Sequence, residues 1–237
     1  MKDLFLETGQ TYLGDFMLRK LIFLTIIFLM FHSCSLDTSR IAPGYVEAFR
    51  AIKNILIAQE NKLITPEIID RIPYASMTLR IGRGAPGLVI LESYQDEKET
   101  WVSADGIYLV IHQGRVVKTG GLLNNLVDFR AVDNDFENLI KHKDSEKLFY
   151  YYSYDKPELI NMRVEANRKF IRKERIDLIN SSKQLNLIEE KITNDFIGWS
   201  EVNRYWVDDD NFVWKSEQYI YPKLPGFHIE VTKKLVQ

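Results

Sequence analysis

The chain has 237 residues, 31 basic and 33 acidic, for a net charge of −2 at pH 7. That balance leaves no electrostatic footprint for nucleic acid. A single cysteine excludes a disulfide framework within the chain, so packing and hydrogen bonds must hold the fold together.

In chain order, residues Met1 to Phe16 (MKDLFLETGQTYLGDF) precede a segment that is complete without them, and Met17 is the expected true start. Met17 to Ser35 (MLRKLIFLTIIFLMFHSCS) has two cations, Arg19 and Lys20. Eleven residues follow, Leu21 to Phe31, apolar except for Thr25. Eleven helical residues rise about 16 Å against a hydrocarbon core of about 30 Å, too short to span a bilayer. A basic start, a short apolar run and the small Ser33 before Cys34 are the layout of an export signal. With cysteine next after the cut, the segment resembles a bacterial lipoprotein signal, although Phe31 stands where leucine is usual. That resemblance implies lipidation of Cys34, and Ser35, not being aspartate, implies sorting to the outer membrane. The expected organisation is therefore an extension and signal over 1–33, a polar tether over 34–43, and one β-rich, periplasm-facing domain over 44–237.

Tyr45 to Glu60 reads as an amphipathic helix, with residues 45, 48, 49, 52, 55 and 56 on one apolar stripe. Thr65-Pro66-Glu67 signals a single helical turn ending near Arg71. From Ser76 the period becomes two. Strands are expected at 76–82, 88–94, 100–103, 107–112, 115–119, 147–154, 159–165, 170–178, 185–193, 199–207, 212–221 and 227–235. Gln113-Gly114 is the clearest hairpin signal, because glycine takes the positive φ of a tight turn. Gly120 to Asp144 reads as loose chain with Leu122, Leu123, Leu126 and Phe129 as core plugs. The runs 170–178 and 185–193 are basic and acidic, which suits exposed neighbouring strands. Short antiparallel strands with turn signals between them, and no β-α-β alternation, predict a mainly β fold. The expected form is an antiparallel sandwich or barrel with one N-terminal amphipathic helix.

Three stretches carry a family likeness. They are Ile72 to Met77 with Leu79-Arg80; Trp101 to Gly106 with Gly114 to Gly120; and Tyr205 to Asp208 through Val213 to Ser216, Pro222 to Pro225 and Ile229 to Val231. In this order they resemble the YjbF/GfcB-type lipoproteins encoded in exopolysaccharide and group 4 capsule clusters. The resemblance implies a periplasm-facing lipoprotein that assists production or secretion of an extracellular polysaccharide, and a non-enzymatic role is expected. It also implies companions: a soluble periplasmic protein and a large outer-membrane barrel protein. It brings no catalytic residues and no cofactor, only the lipidated cysteine, matched by Cys34.

Few residues suggest chemistry of their own. Ser103 lies near Asp105, but at a strand end and without the G-x-S-x-G frame that exposes a nucleophile. His112, His142 and His228 share no metal-ligand spacing. Asp208 to Asn211 lacks the glycine and distal glutamate of a calcium loop and reads as a hairpin tip. Carboxylates are too numerous for their positions to test the alternative of a periplasmic polysaccharide-modifying hydrolase or lyase. A purely structural lid or scaffold for the barrel partner also stays open. The aromatic inventory offers a candidate surface for glycan or a protein partner at Trp101, Tyr150, Tyr152, Trp206 and Trp214. In the Tyr150-Tyr151-Tyr152 run, Tyr151 must face away from its two neighbours.

Overall fold

Alternating apolar and aromatic positions build twelve antiparallel strands among residues 64–132 and 147–235, the residues described by the computed structural model. They are β1 (Ser76–Ile81), β2 (Gly87–Gln95), β3 (Lys98–Ser103), β4 (Tyr108–His112), β5 (Arg115–Gly120) and β6 (Leu126–Ala131). The second half holds β7 (Lys147–Tyr154), β8 (Leu159–Asp177), β9 (Ser182–Asn194), β10 (Trp199–Val207), β11 (Val213–Gln218) and β12 (Phe227–Lys233). The expected helix over 45–60, the tether, the signal with Cys34, and His142 lie outside the described residues.

The strands form one sheet in the order 5-4-3-2-1-12-11-10-9-8-7-6. Every neighbour follows its neighbour in sequence except β1 and β12, whose pairing, Met77 with Val231 and Leu79 with Ile229, joins the two ends of the meander. The ladder stops instead between β5 and β6, which are consecutive in the chain. There the backbone N–H of Leu126 turns to a side chain and donates to Thr119 Oγ1 at 2.9 Å. Of the two expected forms, sandwich or barrel, the sheet takes the second: a nearly closed barrel with its seam at mid-chain.

Period two sends Met77, Leu79, Val89, Leu109, Tyr152, Val164, Ile229 and Val231 inward into one core. Helix α1 (Pro66–Asp70) begins after an extended Thr65 with Pro66 in the first turn, as the sequence signals. Its Ile68, with Ile72, packs outside the barrel on Leu88 and Ile90. A second outer layer comes from the far half of the β8–β9 hairpin. Pairing of β9 with β10 ends at Asn186 and Val207. Beyond it the hairpin crosses to β12, where Ile179 N–H donates to Glu230 Oε1 at 2.6 Å and the Asn180 amide reaches the Thr232 carbonyl. Leu185, Leu187, Trp206 and Trp214 form a separate apolar cluster beneath this flap.

The structure revises several expectations. The runs 159–165 and 170–178 are one strand, β8, of 19 residues. Its pairing with acidic β9 holds, with Lys169 opposite Glu189, but the Arg168 and Glu190 pair is buried rather than exposed. Residues 126–131 form β6 rather than loose chain. Leu126 and Phe129 are buried as expected, whereas Leu123 is 88% exposed at a loop tip. Loops at that end are braced against one another. The Gly82 N–H donates to the Gly226 carbonyl at 2.9 Å, and Tyr154 OH donates to the Ile220 carbonyl at 3.0 Å.

Candidate functional site at the barrel mouth

The opposite end carries the turns 95–98, 113–114 and 208–212, and residues of the last two, with Tyr94 and Glu99 beside the first, line a cleft. Its polar foundation lies deeper. On β9, Ile188, Glu190 and Ile192 share the inward face, so the period that buries two isoleucines also buries a carboxylate. Glu190 Oε1 accepts from Arg115 Nη2 at 2.6 Å, Arg168 Nε at 2.9 Å and Tyr150 OH at 2.7 Å; Oε2 accepts from Asn203 Nδ2 at 3.2 Å. The Arg115 guanidinium also lies 4.8 Å from the Tyr150 ring centroid and 5.4 Å from those of Phe129 and Tyr205. Burial pushes the Glu190 carboxyl up, but the two guanidinium groups outweigh it and hold its pKa well below the carboxylate range. Burial drives the Tyr150 phenol above its usual range, so the cluster is two cations and one anion, fixed and shielded from solvent.

Above it, Gln218 from β11 reaches across the lumen. It accepts from Val116 N–H at 3.0 Å and donates to the Gly114 carbonyl at 2.9 Å, tying the β4–β5 turn to the opposite wall. The cleft has an inner cavity of about 80 Å³, with Met77, Ile111, Ile229 and Val231 as its apolar floor. Glu99, Gln113, Phe212 and Trp214 line it higher up, and Tyr94, Asp210 and Lys234 continue it outward. Glu99 accepts from Trp101 Nε1 at 2.9 Å. Burial raises the Glu99 pKa, against the pull of that hydrogen bond and of Lys234. The Gln113 side-chain oxygen is buried without a hydrogen-bond partner.

The β10–β11 tip is organised by Asp208. Its Oδ1 accepts from the backbone N–H groups of Asp210 at 3.0 Å and Phe212 at 2.9 Å, and its Oδ2 from Trp214 Nε1 at 2.8 Å. Asp209 takes Lys173 Nζ at 2.8 Å. Residues 208–211 are therefore the hairpin tip that the sequence suggests. Opposite Trp206-Val207 the β10–β11 register slips, leaving Trp214 without a cross-strand partner. It meets Phe212 edge-on at 5.0 Å, with Lys183 Nζ 4.0 Å from its ring centroid.

Four of the five aromatic residues proposed as a surface are not on one. Trp101, Tyr150 and Tyr152 are 3%, 2% and 1% exposed because their strand positions face the core. Trp206 faces outward but is covered by the β8–β9 flap and donates to Glu174 Oε1 at 2.9 Å. Only Trp214 lines the mouth directly, while Trp101 acts there through Glu99. Tyr151 does face the other way and is half-buried, beside Arg130. Ser103 donates to Asp105 and accepts from the Ile107 N–H at 3.0 Å, so it serves the turn around Gly106. His112 and His228 each pair with a glutamate, Glu97 and Glu217. Sequence reasoning missed Arg115, Arg168 and Glu190. The signal for two of them was present: Glu190 shares register with Ile188 and Ile192, and Arg168 with Val164 and Ala166.

The family model described as "Group 4 capsule polysaccharide lipoprotein gfcB, YjbF" matches residues 49–232. The chain is 25% identical to the uncharacterized lipoprotein YjbF of Escherichia coli K12 over 203 residues, 83% of this chain and 90% of that protein. It is 26% identical over 166 residues to the uncharacterized lipoprotein GfcB of the same strain, covering 69% of this chain and 76% of the relative. The crystal structure of the hypothetical lipoprotein YmcC from E. coli K12 superposes with a TM-score of 0.67 at 22% identity, covering 80% of this chain and 97% of that one. That likeness supports the fold.

Proposed function

The chain belongs to the YjbF/GfcB family of group 4 capsule polysaccharide lipoproteins, and from that premise we propose that it is a lipid-anchored accessory factor in assembly or secretion of a capsule or exopolysaccharide. The observation that carries this reading is a joint one: a domain of this family follows a basic and short apolar run ending near the chain's lone cysteine. Cys34 holds the protein in the outer membrane, facing the periplasm, through two or three acyl chains. One chain would bind only marginally, whereas several anchor durably. In this role the domain works by holding partners, with an outer-membrane barrel protein and a soluble periplasmic companion as its expected associates. The commitment of Asp208 to its own turn supports a binding role over a catalytic one.

Deleting the gene in its native host and measuring surface polysaccharide tests the proposal. Loss of polymer, restored by wild type but not by Cys34→Ser, is the expected result, with palmitate label found only on the former. Normal polymer in the deletion strain overturns it. Release of new reducing ends from the native polymer by purified protein favours the rival hydrolase.

A further inference from the structure

We propose that the barrel mouth is a binding site for a sugar chain, recognised through its hydroxyl groups and ring faces rather than through ionic substituents. This deepens the functional reading above and rests on it.

Four features of the mouth argue for this ligand chemistry. Its outer part, about 560 Å³, falls within the range of small-ligand sites, roughly 300–1,000 Å³. The floor is apolar, formed by Met77, Ile111 and strand β12, and the cleft suits groups that shed water. The walls then offer acceptors that the fold has left available. Gln113 Oε1 is buried with no partner, a state that costs free energy until a donor arrives. Glu99 is held in place by Trp101 yet keeps further lone pairs. Hydroxyl groups meet both needs, since each is donor and acceptor at once.

Aromatic rings complete the arrangement. Tyr94, 44% exposed, flanks the outer cleft, and Phe212 lies on its wall. Flat ring faces beside fixed acceptors fit a pyranose, whose C–H groups lie on its faces and whose hydroxyls project around them. Charge selects against the alternatives. Lys234 interacts electrostatically with Glu99 and lies 4.2 Å from the Phe212 ring centroid, so the mouth presents opposed charges instead of a field of one sign. A polyanion or a polycation would find half of these groups repulsive. An extended peptide would seek a free sheet edge, and this rim is built of hairpin turns.

The test uses full-length protein in nanodiscs and, as probe, oligosaccharides cut from the extracellular polysaccharide of the native host. Titration calorimetry is expected to give saturable binding that changes less than about twofold between 0.05 and 0.5 M NaCl, since hydroxyl contacts are not screened. Tyr94→Ala and Gln113→Asn should each weaken binding about tenfold; Asn is chosen because it tolerates the φ of 48° at this position. Tyr151→Ala, on the outer wall, should leave affinity unchanged, and circular dichroism should show all three folded. Absence of binding, indifference to both mouth substitutions, or loss of affinity with salt overturns the inference. Polysaccharide export in cells separates it from the functional reading. If deletion abolishes export while Tyr94→Ala and Gln113→Asn restore it fully, the sugar site fails and the accessory role stands. If deletion changes nothing, the role fails whatever the calorimetry shows.

Discussion

Arg115 and Glu190, 75 residues apart in sequence, meet at 2.6 Å inside the barrel and tie together the two sides of its seam. Arg115 opens β5, the last strand of one flank, while Glu190 lies on β9 and also holds Tyr150 of β7, the strand paired with β6. Where the backbone ladder is interrupted, a charged bridge therefore takes over. Removing one partner of a buried pair strands the other charge and costs roughly 3–5 kcal/mol. Glu190→Gln keeps the shape and removes the charge, leaving Arg115 and Arg168 buried side by side. Urea unfolding of the variant should show a loss in that range, and a loss below about 1 kcal/mol would mean that the bridge does not close the seam.

The same carboxylate sets the acid limit of the fold. The ordinary Glu value is 4.5, and the guanidinium groups hold Glu190 well below it. A carboxyl whose pKa is lower folded than unfolded contributes its full stabilisation above the unfolded value and loses it as pH falls through the folded one. Stability should hold from neutral pH to about 5, then fall steeply below about 4.5 as the unfolded state takes up protons. In Glu190→Gln this contribution is absent at every pH. Plotted from pH 7 to 3, its free energy of unfolding should decline less than that of wild type. Parallel curves would assign acid sensitivity to other carboxylates.

Local alternation made most of this architecture readable in advance. Met77, Leu79 and Ile81 follow period two over a full strand, and Gln113-Gly114 supplies the positive φ values, 48° and 79°, that a tight turn needs. Strand β6 escaped because its exposed positions, Val127 and Asp128, spoil the alternation around Leu126 and Phe129. The choice of barrel over sandwich depends on β1 meeting β12 and on Arg115 finding Glu190, contacts more than 70 residues apart that no local pattern encodes. The aromatic residues misled for a related reason. Period two says that Tyr150 and Tyr152 share a side, but only closure of the sheet decides that this side is the core. Trp206 points outward as its register demands, and is covered by a hairpin whose course is equally non-local.

Two glycines with like backbone angles should respond differently to alanine. Gly106 has φ +86° and nothing within 4 Å of an added Cβ. Gly106→Ala should therefore cost only the left-handed backbone penalty, about 1–2 kcal/mol. Gly114 has φ +79°, and a Cβ there would lie 2.6 Å from Val213 Cβ and overlap Cγ2 of the same residue. Gly114→Ala adds an overpacking cost of about 1–3 kcal/mol to the backbone term. It should also shift the 113–114 turn away from β11, on which the mouth depends. Thermal melts should rank wild type above Gly106→Ala above Gly114→Ala, and equal melting points for the two variants would remove the close approach to Val213.

The β8–β9 flap should open before the barrel does. Its far half is held to the wall by the Leu185, Leu187 and Trp206 cluster and by single hydrogen bonds: Trp206 Nε1 to Glu174 at 2.9 Å, and Ile179 N–H to Glu230 at 2.6 Å. Arg172 to Asp177 pair with β9 on one side only, whereas Tyr150 to Tyr152 on β7 have a strand on each side and a buried face. Regions with fewer buried contacts exchange their amide hydrogens through smaller openings. Leu185, fully buried, is the natural lever. Leu185→Ala removes core volume worth roughly 2–5 kcal/mol, charged mainly to docking of the flap. Native-state hydrogen exchange should therefore speed up between residues 172 and 184 while residues 150–154 change little. Equal acceleration in both segments would show that flap and barrel unfold as one cooperative unit.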